Sequence, residues 1–373
     1  MTYTVVIAPD SLKGTIDAAR AAEALARGWR RERPDDDLRL LPMADGGEGT
    51  LDAFAAAVPG ARRMPLTVTG PTGVAVEASW LLLPPEAGRS VGTGVVELAS
   101  TSGIELLGSP PHLRPLDAQT RGFGEAIAAA LAYGVSGLVL AIGSSASTDG
   151  GVGMLTALGG RFADAAGRLI ADGGRGLADL ASVDLSGLPL IPAGAVRVLT
   201  DVTNPLLGPQ GAAAVFGPQK GATPADIARL DAGLARLAGL VAVDSSAPGA
   251  GAAGGTGFGL LAWGATLAPG AHVVADLLGL RDAVAGASLV LTGEGSFDRS
   301  SGAGKVPAAV GALAADAGVP VALVAGNISA GADLSGFSAT ASLTSLAGSS
   351  VRAMAEPARW LEEAGAALAR VLV

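Results

Sequence analysis

The chain has 373 residues, of which 49% are hydrophobic and 16% charged, with a formal net charge of −9 and no cysteine. That is enough chain for two domains with separate cores, and too apolar a composition for a disordered polymer. The acidic balance argues against nucleic acid and membrane lipid as partners, and the lack of cysteine excludes thiol nucleophiles, disulfides and thiolate-held zinc.

His112 and His272 are the only histidines, too few for a typical histidine metal cage. What remains for chemistry is carboxylates, lysine, arginine, hydroxyls, backbone amides and a hard metal ion bound through oxygen. A mean hydropathy of +0.46 invites a membrane reading of the uncharged segment Ser245 to Ala271. Glycines interrupt that segment, among them Gly251, Gly254, Gly255, Gly257, Gly259 and Gly264, and its most apolar stretch, FGLLAWGATLA, is too short to span a bilayer. The start MTYTVVIAPD lacks the basic and long apolar regions of a signal peptide, so a cytoplasmic protein is expected.

In chain order, an apolar run VVIAPDSLKG (5–14) leads into IDAARAAEALARGWRRE, where Ala18, Ala22, Leu25 and Trp29 recur at helical spacing. LRLLPMADGG (38–47) is a second strand-like run. Residues 65–118 alternate short β-like runs with Pro-Gly turns and hold no convincing helix, whereas GEAIAAALAYG reads as a helix that stops at Gly134. LVLAIGSSASTDGG (138–151) and VRVLTDVTNP (196–205) are again apolar runs ending in polar, Gly-rich loops. Residues 204–266 are Gly-rich around one amphipathic helix, PADIARLDAGLARLAGLVAV, and LVLTGEGSFD (289–298) and VALVAGN (321–327) close the series. Uninterrupted apolar runs of this length suit strands buried on both faces of a parallel sheet. The expected fold is therefore α/β, a Rossmann-like parallel-sheet domain built from residues 1–64, 119–203 and 267–373. A second, mixed α+β domain, residues 65–118 and 204–266, is expected to be inserted into it and to close over a cleft.

Chemistry is concentrated at the strand ends. Asp10, Asp45, Asp149, Asp201, Glu294 and Asp298 all follow apolar runs and are expected at one edge of a sheet, where mutually repelling carboxylates call for cations or a ligand that brings them. Among 25 basic residues only Lys13, Lys220 and Lys305 are lysine, and each adjoins a glycine. A lysine places a compact charge on a phosphate or reacting oxygen, which arginine does less well. Gly-rich loops, adjacent lysines and clustered acids are the parts of a phosphoryl-transfer site. The usual nucleotide fingerprints are missing: RSSGAGKV around Lys305 lacks the first glycine of a P-loop, and Gly249-x-Gly251-x-x-Gly254 does not directly leave a strand.

APDSLKG (8–14), PMADGGEGT (42–50), GSSASTDGG (143–151), DVTNPLLGPQGAAAVFGPQKGA (201–222), PGAGAAGGTGFG (248–259) and TGEGSFD (292–298) followed by Gly304-Lys305 together resemble the bacterial glycerate kinases with an APDS-x-KG start. The resemblance runs in order along nearly the whole chain. It implies transfer of the γ-phosphoryl group of ATP to D-glycerate with Mg2+, giving 2-phosphoglycerate. It also implies site residues: Lys13, Asp45 and Asp201 for catalysis, with Asp45 and Asp201 as candidates for base and metal ligand. Asp10, Ser11, Glu48, Asp149 and Lys220 are the substrate-binding candidates, Lys220 arriving from the inserted domain as it closes. Ser144 and Ser145, opening a helix, and Gly293, Glu294, Gly295 and Lys305 are the nucleotide candidates, and Asp45 and Asp298 the metal candidates. Two positions depart from the family pattern, Thr148 where asparagine is common and Ser300 where glutamine is usual. A kinase for another small hydroxy or sugar acid, and a non-catalytic sensor of an acidic metabolite, stay open beside this reading.

Overall fold

The computed structural model describes residues 2–85, 88–299, 301 and 305–371. The chain lays down β1 (Thr4–Pro9) and β2 (Asp37–Leu40), then β3 (Arg62–Thr69), β4 (Ala75–Leu82), β5 (Thr93–Glu97) and β6 (Gly137–Ala141). A small hairpin of β7 (Arg161–Ala163) and β8 (Ser182–Asp184) follows, then β9 (Val196–Leu199), β10 (Thr266–Ala268), β11 (Leu289–Phe297), β12 (Val321–Ile328) and β13 (Ala339–Ser342).

Two compact units result, one of residues 1–45, 52–59 and 269–373, the other of residues 46–51 and 60–268. The first unit holds a five-stranded sheet in the order β13-β12-β11-β1-β2, parallel throughout. This is a doubly wound order in which the strand sequence reverses between β1 and β11, and ligands of such sheets bind outside the carboxyl ends at the reversal. Val5, Ile7, Leu291 and Val324 are buried in its core with the helix Ala18–Glu32. Asp17 starts that helix by accepting from the Arg20 amide at 2.8 Å. Its Trp29 is fully buried and donates its indole N–H to Asp36 at 3.0 Å.

The helix Ala18–Glu32 lies against the helix Pro357–Val371 at close range. A Cβ on Gly28 would sit 1.9 Å from the Glu362 carbonyl oxygen, and one on Gly365 would sit 2.3 Å from that of Leu25. Around this crossing Arg27 pairs with Glu362 at 2.7 Å and Arg31 with Glu363 at 3.0 Å.

The second unit holds a mixed six-stranded sheet, β10-β9-β6-β5-β4-β3, in which β3 and β4 form an antiparallel hairpin and β5, β6, β9 and β10 run parallel. Phe123, Leu138, Leu140, Met154, Val198 and Phe258 fill its core. Residues 119–203, expected in the Rossmann-like domain, belong here, because β6 pairs with β5 and β9 pairs with β6. An apolar run that ends in a Gly-rich loop reads the same whichever sheet it joins, so pattern alone does not assign it. The helix Arg121–Tyr133 stops at Gly134 as expected, with Gly134 at φ 88° capping the carbonyls of Ala130 and Leu131. The amphipathic helix runs Pro224–Ala238, with Thr223 and Asp226 forming a reciprocal cap, and stops at Gly239, short of the expected Val243. Among the described residues no helix is long and apolar enough to cross a membrane.

The helix crossing yields a prediction. Gly28→Ala forces the two helices apart and should lower the urea midpoint by the equivalent of about 1–3 kcal/mol with an unchanged m-value. A midpoint equal to the parent's would refute the tight crossing.

Candidate active site

The first sheet places its strand ends around one cavity of about 410 Å³, within the range of small-molecule sites. Each strand contributes: Asp10 to Lys13 after β1, Asp45 after β2, Glu294 to Ser296 in β11, Gly326 and Asn327 in β12, and Leu343 and Thr344 after β13.

Local geometry explains how the charged groups arrive. β1 ends at Pro9, and the chain then closes a tight turn in which the Leu12 amide donates to the Ile16 carbonyl at 2.9 Å. Gly14 takes φ 75°, a left-handed conformation that glycine adopts without strain, and Lys13 is carried outward at the tip. Beyond β2 the chain stays alongside β1, the Met43 amide donating to the Pro9 carbonyl at 2.8 Å, so Asp45 comes level with the turn. Lys13 Nζ and Asp45 Oδ2 are then 3.2 Å apart. The Asp10 carboxylate accepts from the Ser11 amide at 2.7 Å and is only 6% exposed.

The nucleotide candidates Gly293, Glu294 and Gly295 lie inside β11. Gly293 stands opposite Pro9 on one side and Val324 on the other, so the backbone here serves the sheet. A Cβ on Gly293 would meet the Val324 carbonyl oxygen at 2.1 Å, which accounts for this glycine by close packing. The pairing with β1 ends at Gly293, while β11 continues to Phe297, and the segment Glu294 to Ser296 is left to line the cavity. Glu294 Oε2 is 4.0 Å from Lys305 Nζ, and its buried Oε1 has no hydrogen-bond partner among the described residues. Lys305 stands at the N-cap of the helix Val306–Ala317. Asp298 lines a second cavity instead, beside Phe297, Arg299 and Phe337. Gly304, of the Gly-Lys pair, and the variant position Ser300 lie outside the described residues.

Electrostatics at this cavity are strongly perturbed. Burial, reinforced by the negative charge of Asp45, pushes the Asp10 carboxyl up to about 7, against the opposing effects of Lys13 and the Ser11 amide. Burial also raises Glu294, although Ser301 and Lys305 pull it the other way. Partial desolvation opposes the Lys13 charge, but Asp45, Asp10 and Glu294 outweigh it and hold the ammonium above the usual lysine range. Perturbed titratable groups in a cleft mark functional sites.

The remaining candidates belong to the second unit, so the six acids do not share one sheet: Asp10, Asp45, Glu294 and Asp298 follow strands of the first, Asp149 and Asp201 strands of the second. Asp149 is fully buried. Its carboxylate accepts from the amides of Thr120, Gly151 and Gly153 and from the Thr120 hydroxyl, so it ties a loop to a helix start and presents no surface to a substrate. Lys220 is 3% exposed and donates to the Ser145 hydroxyl at 2.8 Å and to the Ser147 carbonyl. Burial brings its ammonium down to about 7, with Asp149 opposing. Thr148, at a departure from the family pattern, is fully buried with a hydroxyl that has no hydrogen-bond partner among the described residues. Ser144 and Ser145 do not open a helix: Ser145 bridges Gly103, and the next helix begins at Val152. Ser144 lines a cavity of about 190 Å³ with Glu48, Glu97 and Glu105. Asp201 is half-buried just past β9.

Sequence reading missed the neutral part of the first cavity, namely Thr15, Asn327, Leu343, Thr344, Ser350, Ala353, Met354 and Pro357. For Asn327 a signal existed, since it ends the run VALVAGN; for the C-terminal residues no motif marked them.

Comparison with known proteins bears on this geometry. A family model described as the glycerate kinase family matches residues 5–373. The chain is 43% identical over 332 residues to the glycerate 2-kinase of Escherichia coli (strain K12), covering 87% of this chain and 85% of that protein. It is 44% identical over 333 residues to the glycerate kinase of Bacillus subtilis (strain 168), with coverages of 87% and 85%. A crystal structure from Salmonella typhimurium LT2, assigned as glycerate kinase 2, superposes with a TM-score of 0.85 at 41% identity, over 100% of this chain and 98% of that one. The chain belongs to the glycerate kinase family and is a kinase.

The buried acid gives a pH-dependent prediction. Between pH 3.8 and about 7 the folded protein keeps a proton on Asp10 that the unfolded chain has lost, so this group costs stability as pH rises and the cost is full above 7. Asp10→Asn removes the cost: thermal melts at pH 8 should show a higher Tm than the parent's, by up to about 4 kcal/mol equivalent, and the difference should shrink toward pH 4. A Tm at pH 8 equal to or below the parent's would contradict the assignment.

Proposed function

We propose that this chain transfers the γ-phosphoryl group of ATP to D-glycerate with Mg2+ and forms 2-phosphoglycerate. The observation that carries the reading is the convergence of Asp10, Lys13, Asp45, Glu294 and Lys305 at the strand reversal of a family-typical fold. The name of the 43%-identical Escherichia coli relative supports phosphorylation at C2.

Phosphoryl transfer asks for in-line positioning and neutralisation of charge on the travelling group. Lys13 and Lys305 supply positive charge to the cavity, Lys13 bonded to Asp45 at 3.2 Å and Lys305 standing 4.0 Å from Glu294. Asp10 and Asp45 both act on Lys13, and the Asp45 charge adds to burial in raising the Asp10 carboxyl. In this proposal Asp10 accepts the proton of the attacking hydroxyl, a task suited to a group that titrates near neutrality. Asp10 thereby takes the role for which Asp45 and Asp201 were the candidates.

The residues fit a magnesium ion that travels with the nucleotide. Among the described residues no three histidines or carboxylates form a protein-only cage. A magnesium ion shared with phosphates needs only one or two carboxylates, and Asp45 together with the unsatisfied Oε1 of Glu294 meets that need. The ion supplies charge stabilisation at the phosphate oxygens.

ADP release on mixing the chain with Mg-ATP and D-glycerate, followed by a phosphorus NMR spectrum of the product, tests the reading. A panel of hydroxy acids that turned over faster than D-glycerate would reassign the substrate. Asp10→Asn and Asp45→Asn should each lower kcat by about 10²-fold or more; an equal loss in Asp201→Asn with near-normal Asp45→Asn would move the base to the second unit. Lys13→Met should lose about 10²–10³-fold in kcat, as removal of a preorganised charge does.

A further inference from the structure

We infer that the purine nucleoside of the phosphoryl donor lies over the β12–β13 half of the first cavity, against Leu343, Ala353 and Met354. This rests on the kinase reading above and extends it to residues that no motif marked. The cavity runs across all five strand ends, and four strand spacings amount to about 19 Å, the length scale of an extended nucleoside triphosphate.

Its lining is segregated. Every charged lining residue comes from the β2, β1 and β11 side: Asp45, Asp10, Lys13, Glu294 and Lys305. Among the described residues the β12 and β13 side contributes no charged residue, only apolar groups such as Leu343, Ala353 and Met354 with the amide of Asn327 and the hydroxyls of Thr344 and Ser350. A ligand with an anionic tail and a flat, weakly polar head matches that division, tail to the lysines and head to the apolar half. D-Glycerate is too small and too polar to use it.

Met354 is 59% exposed at the rim, so its side chain is open to a ligand in this half of the cavity. A methionine on such a rim adapts to a planar ring, and its sulfur makes favourable contacts with aromatic edges. The second cavity, beside Phe297 and Phe337, is a weaker host because neither Lys13 nor Lys305 lines it.

Met354→Asp tests the placement at an exposed position where folding should be spared, and Ser350→Glu repeats the test on the next turn of chain. Binding of a non-hydrolysable ATP analogue and of inorganic triphosphate, which lacks the nucleoside, is measured by calorimetry in magnesium buffer. We expect Kd for the analogue to rise about tenfold or more in both variants and Kd for triphosphate to stay within twofold. Analogue affinity within twofold of the parent's in both variants would overturn the inference, and so would equal loss of both ligands. A parent that shows the expected pattern yet does not phosphorylate D-glycerate would sink the proposed function and leave the nucleoside site standing. A parent that turns D-glycerate over, with analogue binding indifferent to both variants, would remove the nucleoside site alone.

Discussion

The mismatch in length between β1 and β11 is the constraint on which the candidate site depends. The two strands are paired up to Pro9 and Gly293, after which β1 turns away and β11 continues for four residues. At that point the strand order reverses, and right-handed crossovers send the connections on its two sides to opposite faces of the sheet. The turn after Pro9 brings Asp10 and Lys13, with the apolar Leu12 between them, to the cavity at the carboxyl ends of β1 and β11. Burial of Asp10, its elevated affinity for a proton and the pairing of Lys13 with Asp45 all follow from where β1 stops.

This arrangement stores charge at a cost to the fold. A carboxylate that is 6% exposed beside two other acids disfavours the folded state above neutral pH, and Lys13 and the Ser11 amide only partly offset it. Such costs persist where selection acts on binding or chemistry, because stability alone favours a neutral side chain. Asp149 shows the contrast: equally buried, it is surrounded by four donors and works as an internal tie. Two acids that look alike in sequence, each one residue past an apolar run or its polar loop, thus serve different ends according to the donors that meet them.

Much of this was legible in the sequence. The six quoted apolar runs are β1, β2, β6, β9, β11 and β12, and Gly134 ends its helix where the pattern placed it. The charged half of the cavity follows from motif residues, because lysines and acids at strand ends are conspicuous in a chain with three lysines. Allocation of strands to sheets was not legible, since it depends on which edge a run finds: β6 lies between β5 and β9, and nothing local in GLVLA says so. Gly293 of TGEG was hard to place for a related reason. Glycine permits a free loop, but it equally permits the close strand approach seen at Gly293, and only the partner strand decides. The neutral half of the cavity comes from C-terminal helices whose composition resembles any amphipathic surface.

The helix crossing at Gly28 and Gly365 joins segments more than 300 positions apart, so the order of synthesis bears on how this protein is made. On the ribosome β1, β2 and the first helix emerge early, yet their partners β11 to β13 and the last helix emerge only after the roughly two-hundred-residue second unit. That unit, contiguous apart from residues 46–51, can collapse while the leader waits with the apolar face around Leu25 and Trp29 uncovered. Long loop closure should make the first sheet form more slowly than the second unit, and chaperone capture should concentrate on the nascent amino-terminal helix.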